Sequence, residues 1–175
     1  RAVERVRLGL IGMGAIGAPH ARKLASLEEV ALVAISDVAE AHREEAARLG
    51  ARYYQAYEEM LEREHLHGVV IATPNCLHAA MAAACARHRL HLLIEKPIAA
   101  TLEEADRVIA DARQNDVQVL VGHHRRFNLA VEKARDLIRG GELGQLVGVT
   151  ATWALLKPVE YFEGSAAWRK RPGGG

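Results

Sequence analysis

Six residues near the amino terminus decide the fold: Gly12-Met13-Gly14-Ala15-Ile16-Gly17. They fit the pattern G-x-G-x-x-G and lie between an apolar run at residues 6–11 and a stretch at 15–27 with apolar residues at helical spacing. In such a strand–turn–helix unit the first glycine permits the tight turn, the second lets a pyrophosphate approach, and the third lets helix and strand pack closely. The helix amide groups at Ala15 and Ile16 would then receive the phosphate charge. The pattern predicts a dinucleotide-binding turn, and the alternative is an ordinary tight turn.

An acidic residue follows at the spacing that this kind of site requires. Asp37 lies twenty residues after Gly17, just beyond a continuous apolar run at residues 30–35. A carboxylate there accepts hydrogen bonds from the hydroxyls of the adenosine ribose and repels a 2′-phosphate. NAD is therefore favoured over NADP as the cofactor, although Arg43 keeps NADP open. The alternative for Asp37 is to cap the helix that begins at Ala39.

Strand-like and helix-like stretches alternate over most of the chain. Strands are predicted at residues 6–11, 30–35, 51–54, 69–72, 91–94 and 117–121, and helices at 15–27, 39–49, 57–64, 75–87 and from Thr101, which forms a capping box with Glu104. Continuous apolar strands joined by helices indicate a parallel sheet that is covered on both faces. Right-handed crossovers then give a doubly wound α/β sheet of the Rossmann type.

The pattern changes in the last third of the chain. Residues 131–139 are predicted to form a helix, and residues 146–156 alternate as a strand with one apolar face, which carries Val147, Val149, Ala151, Trp153 and Leu155. A long alternating strand suits a sheet with two different faces. We therefore place the Rossmann domain at residues 1–122 and the beginning of a second, truncated α+β domain at residues 123–175.

Composition and charge argue against several classes of protein. Half of the residues are apolar and 26% are charged, and the formal net charge is +1, so no nucleic-acid partner is expected. The apolar runs are strand-sized and no signal pattern opens the chain, so we expect no membrane contact and a cytoplasmic location. Cys76 and Cys85 are expected to be free, buried thiols. No histidine has the Cys, Asp or Glu neighbours that complete a metal site, so no metal is expected.

Further motifs are more specific than the glycine pattern alone. They are residues 72–78 (ATPNCLH), Glu95-Lys96-Pro97, residues 122–128 (GHHRRFN) and residues 140–144 (GGELG). Together with residues 9–17 (GLIGMGAIG), they resemble the glucose–fructose oxidoreductase / inositol dehydrogenase / MocA family over essentially the whole chain. Glu95-Lys96-Pro97 also ends a predicted strand, at the carboxyl edge where sheets of this kind bind ligands.

The resemblance implies roles for individual residues. Lys96 would lie between the nicotinamide and the substrate, orient the substrate hydroxyl and assist proton transfer, which suits a partly desolvated lysine. Pro97 would follow a cis peptide bond that aims Lys96 into the cleft, and Glu95 would orient its neighbours rather than react. Cofactor contacts are implied for Ala72, Thr73, Pro74, Asn75, His78, Glu95, Lys96, Trp168 and Arg169.

Several implied roles have alternatives. Asn75 could equally cap the following helix, and the pair Trp168-Arg169 could lie on the surface. His123 is kept as a candidate substrate contact in the cleft. By contrast, His65, His67, His88, His91 and His124 are expected at the surface or at edges. In the family an aspartate and a histidine that complete the catalytic set follow a run of three glycines, and this sequence stops at Gly175. We therefore interpret it as the amino-terminal portion of a family member that assembles as a homo-oligomer.

Three functions remain as hypotheses. The first is an NAD(P)-dependent oxidoreductase that transfers hydride between nicotinamide and a hydroxyl compound such as a polyol or sugar. The second is a non-catalytic dinucleotide-binding module that acts as a cofactor sensor or regulatory subunit. The third is a dehydrogenase of a different Rossmann family, which predicts no role for Lys96 and no strand after Gly144.

Overall fold

A computed structural model describes residues 4–170 of the chain, apart from the side chains of residues 165 and 166. Within these residues six parallel strands form one sheet in the order β3-β2-β1-β4-β5-β6. The strands are β1 (Val6–Ile11), β2 (Val30–Ser36), β3 (Arg52–Tyr54), β4 (Gly68–Ile71), β5 (His91–Ile94) and β6 (Val119–Val121). The chain builds outward from β1 to β3 and then returns to place β4 on the other side of β1. Such a reversal opens a crevice at the carboxyl ends of the strands, where these sheets bind ligands.

Helices cover both faces of the sheet, as predicted. They are α1 (Gly17–Ala25), α2 (Arg43–Arg48), α3 (Tyr57–Arg63), α4 (His78–Arg87) and α5 (Leu102–Gln114), and a sixth helix, α6 (Leu129–Arg139), follows the last strand in sequence. All of β4 is buried, because alternate residues of a strand point to opposite faces and both faces are covered. Val70 packs in a cluster with Ala21 of α1, whereas Val69 and Ile71 pack in another with Cys85 of α4.

Two helices open more tightly than the sequence predicts. The predicted helix at residues 39–49 consists of a 3₁₀ helix, Glu40–His42, followed by α2. The predicted helix at residues 75–87 likewise starts with a 3₁₀ helix, Asn75–Leu77, before α4. Neither opening has a side-chain cap, and 3₁₀ turns are common at such helix ends.

The predicted strand at residues 146–156 is not formed. Residues 146–158 belong to no helix or strand, and Val147 and Leu156 are each 97% exposed. An alternating sequence becomes a strand only when a partner strand takes its backbone hydrogen bonds. The described residues after Gly122 contain no strand that could do so. Of the predicted α+β domain, the helix is therefore present and the sheet is not.

The chain divides into two compact units. One runs to Gly122 and takes in Arg169, and the other is His123–Trp168. The second unit contains α6, whose first turn is capped by the Asn128 side chain, which accepts the N–H of Ala130 at 2.9 Å. Within the part of the chain that the structure describes, no helix combines the length and apolarity that a membrane span requires.

Candidate functional site

The turn between β1 and α1 is closed at both ends and open in the middle. Gly12 has a φ of +93°, and a Cβ on it would lie 2.7 Å from the carbonyl oxygen of Ala72, so glycine is required there. A Cβ on Gly17 would lie 1.8 Å from the carbonyl oxygen of Gly12. A Cβ on Gly14 would meet nothing within 4 Å. The middle of the turn therefore offers bare backbone to an approaching group, which is the shape that a pyrophosphate needs.

The helix after this turn presents its amide groups without competition from side chains. α1 is assigned from Gly17, two residues later than predicted, but the N–H of Ala18 already donates to the carbonyl oxygen of Gly14 at 3.0 Å. Ala15 and Ile16 therefore lie in the opening turn, and both are exposed. No side chain caps this end and its first turn contains no acidic residue, so its positive end is available to an anion.

Asp37 braces the glycine turn from the end of β2. Its Oδ2 accepts the N–H of Met13 at 2.6 Å, and its Oδ1 accepts the N–H of Ala39 at 2.8 Å. The alternative of a helix cap is wrong, because Ala39 precedes the 3₁₀ helix Glu40–His42 and the opening of that helix has no side-chain cap. The N–H of Met13 is taken by Asp37, and the residue is only 1% exposed. Met13 thus anchors the turn in the core, and its predicted cofactor contact stays a prediction.

Tyr53 of β3 completes this corner of the site. Its hydroxyl donates to the carbonyl oxygen of Asp37 at 2.5 Å. Burial raises the pKa of the Tyr53 hydroxyl, and the negative charge of Asp37 adds to that rise. The guanidinium of Arg43 lies 4.8 Å from the centre of the Tyr53 ring and pairs with Glu40 at 3.0 Å. Arg43 is therefore already held by Glu40 and Tyr53, which weighs against its use for a 2′-phosphate.

The loop after β4 lies beside the glycine turn. The N–H of Ala72 donates to the carbonyl oxygen of Ile11 at 2.8 Å, which keeps the two loops together at the sheet edge. Residues 72–75 are half-buried. Pro74, rather than Asn75, occupies the cap position of the short helix that follows. The loop is thus placed to contribute backbone and the side chains of Thr73 and Asn75 to the crevice.

His78 connects two loops of the site. It has no exposed surface, and both ring nitrogens face carbonyl oxygens of the protein. Nδ1 lies 2.7 Å from the oxygen of Pro97, and Nε2 lies 3.0 Å from the oxygen of Thr73. The predicted cofactor contact of His78 stays a prediction.

Lys96 follows β5 and its side chain is exposed. The Lys96–Pro97 bond is cis, as the resemblance implies. Glu95 turns to the protein: its Oε1 lies 2.9 Å from Nε2 of His20, and its Oε2 accepts the N–H of Lys96 at 3.3 Å. Within residues 4–170, no hydrogen bond or ion pair engages the ammonium of Lys96. This ammonium is therefore free to meet a ligand at the carboxyl edge of the sheet.

His123, Trp168 and Arg169 are the remaining candidates. His123 and Trp168 belong to the second unit, and Arg169 lies at its border, so their predicted contacts stay predictions. Cys76 and Cys85 are both free thiols, as predicted, but only Cys85 is buried, and that burial raises its pKa to about 12. The expected burial of Cys76 is wrong, because the residue is exposed on the 3₁₀ helix that precedes α4. Among the described residues, no three side chains of the metal-binding types lie together.

Two contributors were invisible to sequence analysis. His20 lies within the helix predicted at residues 15–27, and Tyr53 lies within the strand predicted at residues 51–54. Both act through partners that are distant in sequence, at Glu95 and Asp37 respectively. The sequence offers one signal for His20: it is a polar residue three positions after Gly17.

Comparison with known proteins places the chain. The model of an oxidoreductase family with an NAD-binding Rossmann fold, Gfo/Idh/MocA, matches residues 6–123. The chain belongs to the Gfo/Idh/MocA family. Its similarity to myo-inositol 2-dehydrogenase of Thermotoga maritima is 31% identity over 160 residues, which covers 89% of the chain and 48% of that protein. The chain is also 35% identical to the rhizopine catabolism protein MocA of Rhizobium meliloti over 161 residues, which cover 91% of this chain and 51% of that protein.

A solved structure of the Gfo/Idh/MocA fold supports the same assignment. The WlbA dehydrogenase of Bordetella pertussis, crystallised with NADH and UDP-GlcNAcA, superimposes with a TM-score of 0.77 at 29% identity. The match covers 81% of this chain and 44% of WlbA. The chain thus spans about half the length of the Gfo/Idh/MocA relatives that it matches.

Proposed function

We propose that this protein is an NAD-dependent oxidoreductase that transfers hydride between nicotinamide and a hydroxyl-bearing carbon of a polyol or sugar. The observation that carries the proposal is Lys96, whose unengaged ammonium lies at the end of β5, on the same edge of the sheet as the glycine turn. Myo-inositol 2-dehydrogenase and the sugar-nucleotide complex of WlbA support this substrate class.

The residues present fit a nicotinamide dinucleotide. We assign the pyrophosphate to the open backbone at Gly14 and to the amide groups of Ala15 and Ile16. We assign the adenosine ribose to Asp37, because a carboxylate has about four lone-pair sites and the protein uses two of them. Thr73 and Asn75 would line the path toward Lys96. When bound, the nicotinamide supplies the redox chemistry.

Lys96 supplies a hydrogen bond and a positive charge to the substrate oxygen. Its Nζ donates a hydrogen bond to the substrate oxygen and thereby fixes the carbon that reacts. Its positive charge stabilises the negative charge that builds on that oxygen as the hydroxyl proton leaves. Trp168, Arg169 and His123 are retained as proposed contacts from the second unit.

Substitution of Lys96 tests the proposal. In the protein at its natural length, Lys96→Met should lower turnover of polyols by at least about 100-fold, since charge stabilisation in the reacting state is lost. The dissociation constant of NADH should change little. Lys23→Met, on the exposed last turn of α1, is the matched control and should leave both quantities unchanged. Turnover that survives in Lys96→Met would remove Lys96 from the reaction, and NADH binding without turnover in the wild type would favour a sensor or regulatory module.

Location and assembly belong to the same proposal. We expect a cytoplasmic protein, and the two free thiols are consistent with a reducing compartment. We also expect a homo-oligomer, because large apolar side chains such as Val147, Val149 and Trp153 are exposed in the second unit.

A further inference from the structure

The segment that carries Lys96 is held on both sides by histidines from two helices. On one side His20 of α1 binds the carboxylate of Glu95, at 2.9 Å between Nε2 and Oε1. On the other side His78 of α4 binds the carbonyl oxygen of Pro97, at 2.7 Å from Nδ1. Lys96 lies between these two attachment points. We refer to His20 and His78 as the histidine clamp.

Each half of the histidine clamp comes from an element that forms the cofactor site. His20 lies on α1, the helix whose opening turn faces the predicted pyrophosphate position. His78 reaches with its second nitrogen to the carbonyl oxygen of Thr73, at 3.0 Å. Both partners of His78 are carbonyl oxygens, which only accept hydrogen bonds. The clamp therefore ties Lys96 to the glycine turn on one side and to the Thr73 loop on the other.

The surroundings leave little freedom to these contacts. His78 has no exposed surface, and the Glu95 side chain is only 15% exposed. A Cβ on Gly122, at the end of β6, would lie 2.9 Å from Oε1 of Glu95, so the backbone of the next strand confines this carboxylate. Oε2 of the same carboxylate accepts the N–H of Lys96 at 3.3 Å.

We propose that His20 and His78 are positioning residues that place Lys96 relative to the bound dinucleotide. The inference rests on the proposed role of Lys96 and adds the groups that aim it. Both histidines would act on Lys96 through the residues that flank it, Glu95 and Pro97. A displacement of about 1 Å at a reacting group can cost roughly 100-fold in rate, so the loss of either contact should appear in turnover.

Two substitutions at His78 separate its two bonds. The amide nitrogen of a glutamine can replace Nε2, whereas that of an asparagine can replace Nδ1. His78→Gln should therefore keep the bond to Thr73 and lose that to Pro97, so turnover falls about 10- to 100-fold while NADH affinity is nearly unchanged. His78→Asn should lose the bond to Thr73, so NADH affinity falls about tenfold while turnover at saturating NADH is closer to the wild type. Parallel losses of turnover and affinity in both variants would overturn the proposal.

Substitutions at His20 test the other half of the clamp. His20→Gln retains a donor for Glu95 and should keep most of the turnover, whereas His20→Leu should lower it about 10- to 100-fold. His88→Gln, at the exposed end of α4, is the matched control. Equal turnover in His20→Gln and His20→Leu would contradict the role of His20.

A spectroscopic measurement keeps the clamp testable without turnover. Lysines carrying ¹³C-methyl groups give separate NMR signals, and Lys96→Arg identifies the signal of Lys96. NADH should shift this signal in the wild type and shift it much less in His78→Gln and His20→Leu. If the wild type turns over no hydroxyl compound but shows this pattern, the clamp stands and the proposed reaction fails. An equal shift in all variants would overturn the clamp itself.

Discussion

At the scale of single residues, the glycines of the first turn have different physical tasks. The fold of the turn requires Gly12 and Gly17, because a Cβ on either would lie 2.7 Å or less from a carbonyl oxygen. It does not require Gly14, since a Cβ there meets nothing within 4 Å. The three glycines at this spacing thus combine two that build the turn with one that leaves room for a ligand.

This division predicts opposite outcomes for two alanine substitutions. Gly14→Ala should leave the melting temperature unchanged and weaken NADH binding by about tenfold or more, because the methyl group occupies the space of the pyrophosphate. Gly17→Ala should instead destabilise the fold by several kcal/mol, at about the upper end of single substitutions, because the turn must open. Thermal unfolding and NADH titration of both variants measure the contrast. A Gly14→Ala variant that unfolds early would show that the turn, rather than the ligand, needs this glycine.

The glycine turn and Asp37 could be predicted because their spacing is local and the chemistry is carried by the backbone. The tasks of His78 and Met13 could not. His78 was assigned to the cofactor through resemblance, yet its place is set by two carbonyl groups that only the folded chain brings together. Met13 looks like part of the ligand contact in sequence, but Asp37 takes its amide.

At the scale of elements, the end of α3 is fixed to β3 by a buried acid. Glu64 lies just after α3, and its side chain is 2% exposed. Its Oε1 accepts the Tyr54 hydroxyl at 2.6 Å and lies 3.0 Å from Nη1 of Arg52. The hydrogen bond to Glu64 and burial together raise the pKa of Tyr54. A buried carboxylate that is paired and hydrogen-bonded is strongly dependent on each of its partners.

Tyr54→Phe tests this connection and its pH dependence. At neutral pH it should lower the free energy of unfolding by about 1–3 kcal/mol, the usual value for a hydrogen bond to a charged group. Because the pKa of Tyr54 is raised on folding, its contribution is complete below the tyrosine pKa of the unfolded chain, at about 10. It is lost as the pH rises through the higher value in the folded protein. Urea unfolding at several pH values should show that the difference in unfolding free energy between wild type and variant shrinks as the pH rises above about 10. A difference that stays constant with pH would contradict the assignment.

Strands and helices of the first unit were predictable because each is buried by its immediate neighbours, and continuous apolar runs such as β4 record that burial. The 3₁₀ turns that open two of the helices were less predictable, because a 3₁₀ turn and an α-helical turn are formed by the same residue types. The predicted strand at residues 146–156 failed for another reason. Its alternation is present in the sequence, but pairing depends on a strand elsewhere.

At the scale of the whole molecule, the two units differ in how their backbone is satisfied. The first has a six-stranded sheet within the described residues, and its central strands are paired on both sides. In the second, the described residues contain α6 and short 3₁₀ helices but no strand. The apolar face at residues 146–156 is solvent-exposed, with Val147 at 97% and Val149 at 81%.

Amide hydrogen exchange should reveal this difference directly. Amides of β1 and β4 should be the most protected of the chain, because they open only with the sheet as a whole. Amides of residues 146–156 should exchange near the rate of an unstructured peptide in dilute solution, where each chain is alone, because the structure gives them no backbone partner. Protection that appears as the protein concentration rises would mean that a second copy supplies the missing strand. Protection as strong as that of β4 in dilute solution would show that residues 146–156 find a partner within their own chain, contrary to the structure.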